Sequence, residues 1–343
     1  MFVCLLTNQD VDDPSISEYD WACDPRPYLP EADWHTVELG DKADSPREVR
    51  DLIKHGVDGR TIDVFFNLCD GGADQDDRPG IEVIRVLERA NAAFTGATSK
   101  CFEPTRSQIK RACKRCDIET PKGIVVHTQA DVHRAAKRLR FPLFVKHHNS
   151  YASIDISRRS RVLSKSGLMI QAKKFIARHG AAMIEEYIDG EECTVLVAEN
   201  PRDPERPIVY PPVQYDFPAG DEFKTEDLKW ETFEGLGTRR VTNTKLVGRL
   251  RREAADLFVE MGAAGYARID VRVNEDGVPY VLEINANCGI FYPKHAYASA
   301  DDCIALDSGG HPRFVRRLIA VAKARQRRNA SYISRKTRRL QTT

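Results

Sequence analysis

Several absences narrow the reading of this 343-residue chain before any motif is considered. No apolar run approaches the roughly 20 residues a membrane-spanning helix needs. The N-terminal stretch MFVCLLTNQD has five apolar residues after Met1 and no basic flank, so it reads as a first strand and not as a secretory leader. The expected location is cytoplasmic. Glycine (21), proline (18) and cysteine (9) are too sparse for a collagen-like, low-complexity or disulfide-stapled chain. The cysteines are scattered and odd in number, which fits reduced thiols. Cys113 and Cys116 have C-x-x-C spacing, but no second such pair and no H-x-x-x-H accompanies them, so no metal is assigned there. Neither a G-x-x-x-x-G-K loop followed by Ser or Thr nor a G-x-G-x-x-G fingerprint occurs, which removes support for a P-loop NTPase or a Rossmann dehydrogenase.

What is present is a chain with 41% hydrophobic and 30% charged residues, long enough for two or three domains. Its net charge of +1 hides an asymmetry: residues 313–343 carry eleven Lys or Arg and no acid, leaving 41 bases against 51 acids in the rest. A solvated terminal helix with a frayed end accounts for such a tail more simply than a nucleic-acid site does.

Residues 2–6, 62–67 and 92–95 read as short strands of a mostly parallel sheet. Ser45, Pro46 and Glu48 supply a cap, a first-turn proline and a capping-box acid, and residues 80–91 place Ile81, Ile84 and Leu87 at helical spacing. The acidic loop 70–77 lacks the ligand spacing of a calcium hand. Pro104 opens a helix with Arg106 and Lys110 on one face, and Thr128 caps another that runs to Leu139. Residues 141–157 read as strand, polar loop and strand, followed by a helix near 168–177; His147 and His148 should then face opposite sides of their strand. Residues 182–199 form two strands joined at Asp189-Gly190, and a helix from Asn243 to Met261 is stopped by Gly262.

The most informative stretch is GYARIDVRVNEDGVPYVLEINANCGI, residues 265–290, where two strands flank Asp276-Gly277, a favoured hairpin turn. Pairing symmetric about that dipeptide sets Asp270 opposite Glu283 and Arg268 opposite Asn285 on one face, with Ile269, Val271, Leu282 and Ile284 on the other. A two-residue turn makes both polar pairs of the closer, non-hydrogen-bonded kind. Two directly opposed carboxylates repel unless a cation sits between them or one is protonated. A magnesium ion held by Asp, Glu and Asn oxygens resolves the repulsion, and a surface ladder of Arg, Asp and Glu pairs resolves it too. The residues alone leave both readings open.

These residues resemble the ATP-grasp superfamily and, within it, the D-alanine–D-alanine ligase branch of carboxylate–amine ligases. The resemblance runs from FNLCDGGADQDDRPGIEVIRVLERANAAFTGA (66–97) through FPLFVK and IEEYIDGEE to RIDVRV and YVLEINANCGI, in family order. It implies an α/β (α+β) ATP-grasp fold of three domains: an N-terminal α/β unit (1–102), a central lid (103–186) and a C-terminal catalytic domain (187–326), followed by a basic tail (327–343). Nucleotide would be held between the central and C-terminal domains. The implied cofactors are ATP and two Mg²⁺ ions, with Mn²⁺ as the alternative.

Carried over by residue, the resemblance assigns Asp270, Glu283 and Asn285 to metal, with Glu283 bridging, and Arg268 to the transferred phosphate. It makes Lys146, Ser153 and Arg106 phosphate contacts, the last standing where the family usually has Lys. Glu185, Glu186 and Ile188 match the adenine-binding hinge, and Glu192 matches the acid that takes the ribose hydroxyls. Lys229 resembles the lysine that reaches the terminal phosphate. Lys294, in FYPKHAY, stands near the family's serine for the second substrate's carboxylate, with Phe291 and Tyr292 as pocket walls. The phosphate loop departs from the family, reading HHNSYASID where Gly and Ser prevail; Asp155 in it would repel a phosphate if it faced inward, and as an alternating strand residue it can instead point away.

The implied chemistry is phosphorylation of a carboxylate by ATP and attack of an amine on the acyl phosphate. The family's N-terminal D-alanine signature is replaced by TNQDVDDPSISEYD, and Leu68-Cys69-Asp70 stands where a histidine is usual, so another amino-acid pair is favoured over D-alanine. The alternatives are a ligase joining a larger metabolite acid to an amino acid, and a non-catalytic nucleotide-binding module with a partner for its basic tail. Small-molecule acid and amine are the expected partners. Nucleic acid and membrane are not, and a homodimer is compatible with the sequence.

Overall fold

The computed structural model describes residues 1–8, 23–72, 77–149, 155–225, 228, 235–294 and 298–341. Three sheets are formed by these described residues. The first is parallel: β1 (Phe2–Thr7) lies between β2 (Asp33–Glu38) and β3 (Val64–Asn67). The helices α1 (Ser45–His55) and α2 (Ile81–Arg89) pack against each other beside it, and α2 buries Val83, Ile84, Val86 and Leu87. Two expectations need correction. The stretch at 92–95 makes only one bridge, Phe65 to Phe94, whereas β2, whose ends are exposed, is a true edge strand. Ser45 begins α1 but caps nothing: Asp44 holds the cap position without a side-chain bond, and Glu48 accepts instead from the Gly40 amide at 3.0 Å.

The second sheet is antiparallel, ordered β4 (Gly123–Val126), β7 (Ala182–Glu186), β5 (Leu143–His147), β6 (Arg161–Val162). Its core joins Val126, Leu143, Val145 and Ile184 to Val132 and Ala135 of α4 (Gln129–Arg138) and to Leu168, Ala172 and Phe175 of α5 (Lys165–His179). Thr128 caps α4 as the sequence predicts, in a reciprocal box with Asp131. The strand partner of β5 falls later than expected, at 161–162. Ahead of this sheet, α3 (Arg106–Arg115) is capped by Thr105 and Gln108 and sends Ile109, Ala112 and Cys113 into the core of the other two sheets.

The third sheet is ordered β11 (Gly237–Arg240), β10 (Val213–Asp216), β8 (Glu191–Ala198), β12 (Tyr266–Val273), β13 (Pro279–Asn285), with β9 (Ile208–Val209) on β8. Strand alternation sorts β8 and β12. Cys193, Val195, Val197, Ile269 and Val271 meet Leu250, Ala254 and Leu257 of α6 (Thr244–Glu260), whose first amides bond the Asn243 cap. At one end of the opposite face, Leu196, Ala198 and Tyr266 meet Ile304 of α7 (Ser299–Ala305) and Phe314 and Leu318 of α8 (Gly310–Gln341). At the other end that face is polar. The first and third sheets share both cores, so α8 closes over Val3, Leu5, Val64 and Phe66 as well. All nine cysteines are free, and no helix among the described residues is long and apolar enough to cross a membrane.

The seam between these sheets passes through Gly265, whose φ of 69° is left-handed and whose missing Cβ would stand 2.3 Å from the Gly96 carbonyl oxygen. Any side chain meets both strain and backbone there. Gly265→Ala is therefore expected to lower the unfolding free energy by roughly 2 kcal/mol, read as a reduced urea midpoint at unchanged slope.

Candidate functional site

The polar end of the third sheet assembles on one face because its residues alternate. Glu192 and Thr194 come from β8, Arg268, Asp270 and Arg272 from β12, and Glu283 and Asn285 from β13. Asp270 pairs with Thr194 on one side and Glu283 on the other, and Arg268 pairs with Asn285. The expected register at the site is present, but the turn is longer than two residues. Loop 274–278 closes the hairpin with Gly277 at φ 72°, so Val271 pairs with Val281, and a bulge between Asp270 and Val271 restores the symmetric register farther along. Leu282 is the extra residue. It lines the cleft, and Val281 takes the core place expected of it.

Buried carboxylates this close need counter-charge. Arg268 donates to Asp270 through Nε at 3.1 Å and Nη2 at 3.0 Å, and the Thr194 hydroxyl donates to Asp270 at 2.6 Å. Burial would raise the Asp270 carboxyl, but Arg268 and Lys224 hold it down at about 2. Arg106 approaches Glu283 at 3.5 Å across the cleft. Glu192 is raised by burial, with Lys224 and Arg272, each 3.6 Å away, opposing.

The facing wall comes from the second sheet and α3. Glu185 receives Lys146 Nζ at 2.5 Å and Lys110 Nζ at 2.7 Å. Burial would lift this carboxyl, yet Lys146, Lys110 and Arg106 hold it at about 2. Lys146 is lowered to about 8 by burial and by Arg106, against the pull of Glu185. Three cations with one buried anion leave a positive surplus facing the cleft.

The cleft encloses about 820 Å³, part of it open to solvent. Among its lining are nine residues singled out in the sequence: Arg106, Lys146, Glu185, Glu186, Ile188, Glu192, Arg268, Asp270 and Glu283. Asn285 lies beside it, opposite Arg268, with its side-chain oxygen accepting from the Asn287 amide at 3.2 Å. Lys294 is exposed and is not among the lining residues, while Phe291, expected as a pocket wall, is 1% exposed inside the core. Ser153, Lys229 and the stretch 9–20 lie outside the described residues.

Nearby, β5 ends at His147, so alternation stops and the rings of His147 and His148 stack at 4.7 Å instead of facing apart. Asp155, left open by the sequence, sits in a turn and meets Arg178 at 2.5 Å and His179 at 2.6 Å.

Sequence reasoning missed several lining residues. Phe144, Tyr187 and Phe223 make an aromatic end, with Phe223 set edge-on to Phe144 at 5.0 Å. Lys224 reaches the carboxylates from a segment without periodicity. Burial would lower its ammonium, but Tyr215, Asp270 and Glu192 raise it above the usual range. Arg272 was legible, since it continues the alternation of Arg268 and Asp270.

Because Glu185 is depressed from 4.5 to about 2, its ion pairs stabilise the fold above pH 4.5 and lose that effect as pH falls toward 2. Glu185→Gln is expected to cost about 3 kcal/mol at pH 7, with the deficit shrinking across that acid window. Denaturant titrations of both proteins at several pH values check it.

The family described as D-ala D-ala ligase C-terminus matches residues 118–298, more than half of the chain. The D-alanine–D-alanine ligase of Cupriavidus pinatubonensis is 26% identical over 211 residues, 60% of this chain and 61% of that protein, so the match spans about three fifths of the relative's length. The D-alanine–D-alanine ligase of Coxiella burnetii superposes with a TM-score of 0.68 at 16% identity, covering 99% of each chain. The VanG D-Ala:D-Ser ligase of Enterococcus faecalis gives 0.67 at 14% identity, covering 94% of this chain and 99% of that one. The likeness in structure extends the ATP-grasp fold over nearly the whole molecule, and by the match over residues 118–298 the chain belongs to the D-alanine–D-alanine ligase C-terminal family.

Proposed function

We propose that this protein is an ATP-dependent carboxylate–amine ligase that joins two small molecules, amino acids in the favoured case, through an acyl phosphate. The observation that carries the reading is the cleft's two-ended chemistry. Phe144, Tyr187 and Phe223 form an aromatic cluster suited to a base, with Ile188 and Leu282 also in the lining, while Arg268, Lys224 and Arg106 face the carboxylates of Asp270 and Glu283 and Lys146 is held by Glu185.

Asp270, Glu283 and Asn285 offer hard oxygens, and the direct opposition of the two carboxylates suits a divalent cation between them and polyphosphate. These three residues would hold Mg²⁺, which supplies charge neutralisation for phosphoryl transfer. Lys146 and Arg106 would bind phosphate oxygens from the lid side, with Glu185 fixing the lysine. Arg268 would orient the transferred phosphoryl group and offset its charge, while Glu192 would take ribose hydroxyls. Lys224 would offset the charge of Glu192 and Asp270 on this face. Ser153 and Lys294 keep their assigned roles, toward phosphate and the second substrate's carboxylate. No side chain is needed as a nucleophile, so this work is positioning and electrostatics.

Mg²⁺-dependent ADP release should appear only with particular pairs of amino acids, D or L, accompanied by a new amide mass. Binding of ATP without stimulation by any acid and amine pair would defeat the ligase reading. Glu283→Gln is expected to reduce turnover at least a thousandfold with an unchanged melting profile, since it removes one charge from the metal-facing pair. Wild-type ADP release by that variant would rule out the metal assignment.

A further inference from the structure

Arg272 lines the cleft with a guanidinium only 4% exposed. Its ion-pair partner is Glu192, 3.6 Å from Nη1, and none of its hydrogen bonds goes to the metal-facing pair. Its donors are spent on three backbone carbonyls: Nε donates to Ile188 at 2.7 Å, Nη1 to Glu222 at 2.8 Å and Nη2 to Gly190 at 2.7 Å. Ile188 and Gly190 belong to the short connection between β7 and β8, and thus between the second and third sheets. Glu222 immediately precedes Phe223 and Lys224, which line the cleft.

Two further features hold the same connection. Gly190 adopts φ 136°, and a Cβ there would stand 2.0 Å from the Val273 carbonyl oxygen, so the connection runs tight against the end of β12. Tyr187 lies between two guanidinium groups, Arg272 at 4.8 Å and Arg161 at 4.7 Å from its ring centre. A planar fork with five donors can serve three carbonyls that point at it from different segments; a lysine ammonium on its flexible stem cannot. Removing the fork takes the donor from three carbonyls at once and frees two segments that wall the cleft.

We propose that Arg272 is a positioning residue for the nucleotide base: it fixes the 187–190 connection and the 222–224 segment in one arrangement, and so sets the affinity for the base end of ATP without contacting the phosphates. This rests on the nucleotide reading above. The consequence is separable, because Arg106, Lys146 and Arg268, which would bind the phosphates, are held by other partners.

The test is calorimetric binding of MgATP and, separately, of inorganic tripolyphosphate with Mg²⁺, to the full chain and to Arg272→Lys. The variant is expected to lose at least tenfold in ATP affinity and to keep tripolyphosphate affinity within twofold. Arg272→Met, apolar and similar in length, is the companion variant and should show the same split. ATP affinity within twofold of wild type in either folded variant overturns the proposal. Parallel loss of both ligands also overturns it, as does failure of both variants to fold, because Arg272 would then be a general structural residue. A wild-type protein that binds tripolyphosphate but not ATP, or neither, defeats the nucleotide reading itself and the proposal with it.

Discussion

The site is organised around an electrostatic conflict, the placement of Asp270 directly opposite Glu283 on paired strands. In a half-buried sheet this costs free energy unless positive charge is brought to it. The surrounding structure does so from three directions. Arg268 is two residues away on the same face, Arg106 arrives from α3, and Lys224 comes from the segment before β11. Each cation belongs to a different part of the chain, so neutralising the pair also gathers the second and third sheets around one cleft.

The facing wall solves the inverse problem. Lys146, Lys110 and Arg106 are crowded together, and Glu185 is the buried anion that makes their packing tolerable. It cancels only part of their charge. The cleft therefore presents a cationic wall opposite a carboxylate pair, with apolar side chains at the far end. A ligand with an apolar ring and several negative oxygens, accompanied by a divalent cation, matches all three regions. Shape alone would not make that selection.

Much of this was legible in the sequence because strand alternation is a strong constraint. Arg268, Asp270, Glu283 and Asn285 could be placed on one face from the position of a turn. The turn itself was misread: a five-residue loop shifts the pairing by one position, and the bulge at Leu282 shifts it back. Two irregularities compensated, and neither has a local signature. The helices of the second sheet were clear from Thr128 and the spacing after it, since caps act over three or four residues. Edge strand β2 was missed because it lacks a continuous apolar face. Lys224 and Phe223 could not be placed, since their position depends on carbonyl contacts to a residue fifty positions away. Likewise, nothing in the doublet His147-His148 announces that its strand stops between the two rings.

The bulge in β13 has a further effect on how the cleft is built. A regular strand offers a site every second residue, so adjacent positions serve opposite faces. Here Leu282 and Glu283, neighbours in the chain, both line the same cavity, one with an apolar side chain and the other with a charged one. An apolar and a charged lining residue are thereby joined by a single peptide unit. They cannot slide relative to one another along this strand, and their spacing is set by covalent geometry and not by the packing of separate segments.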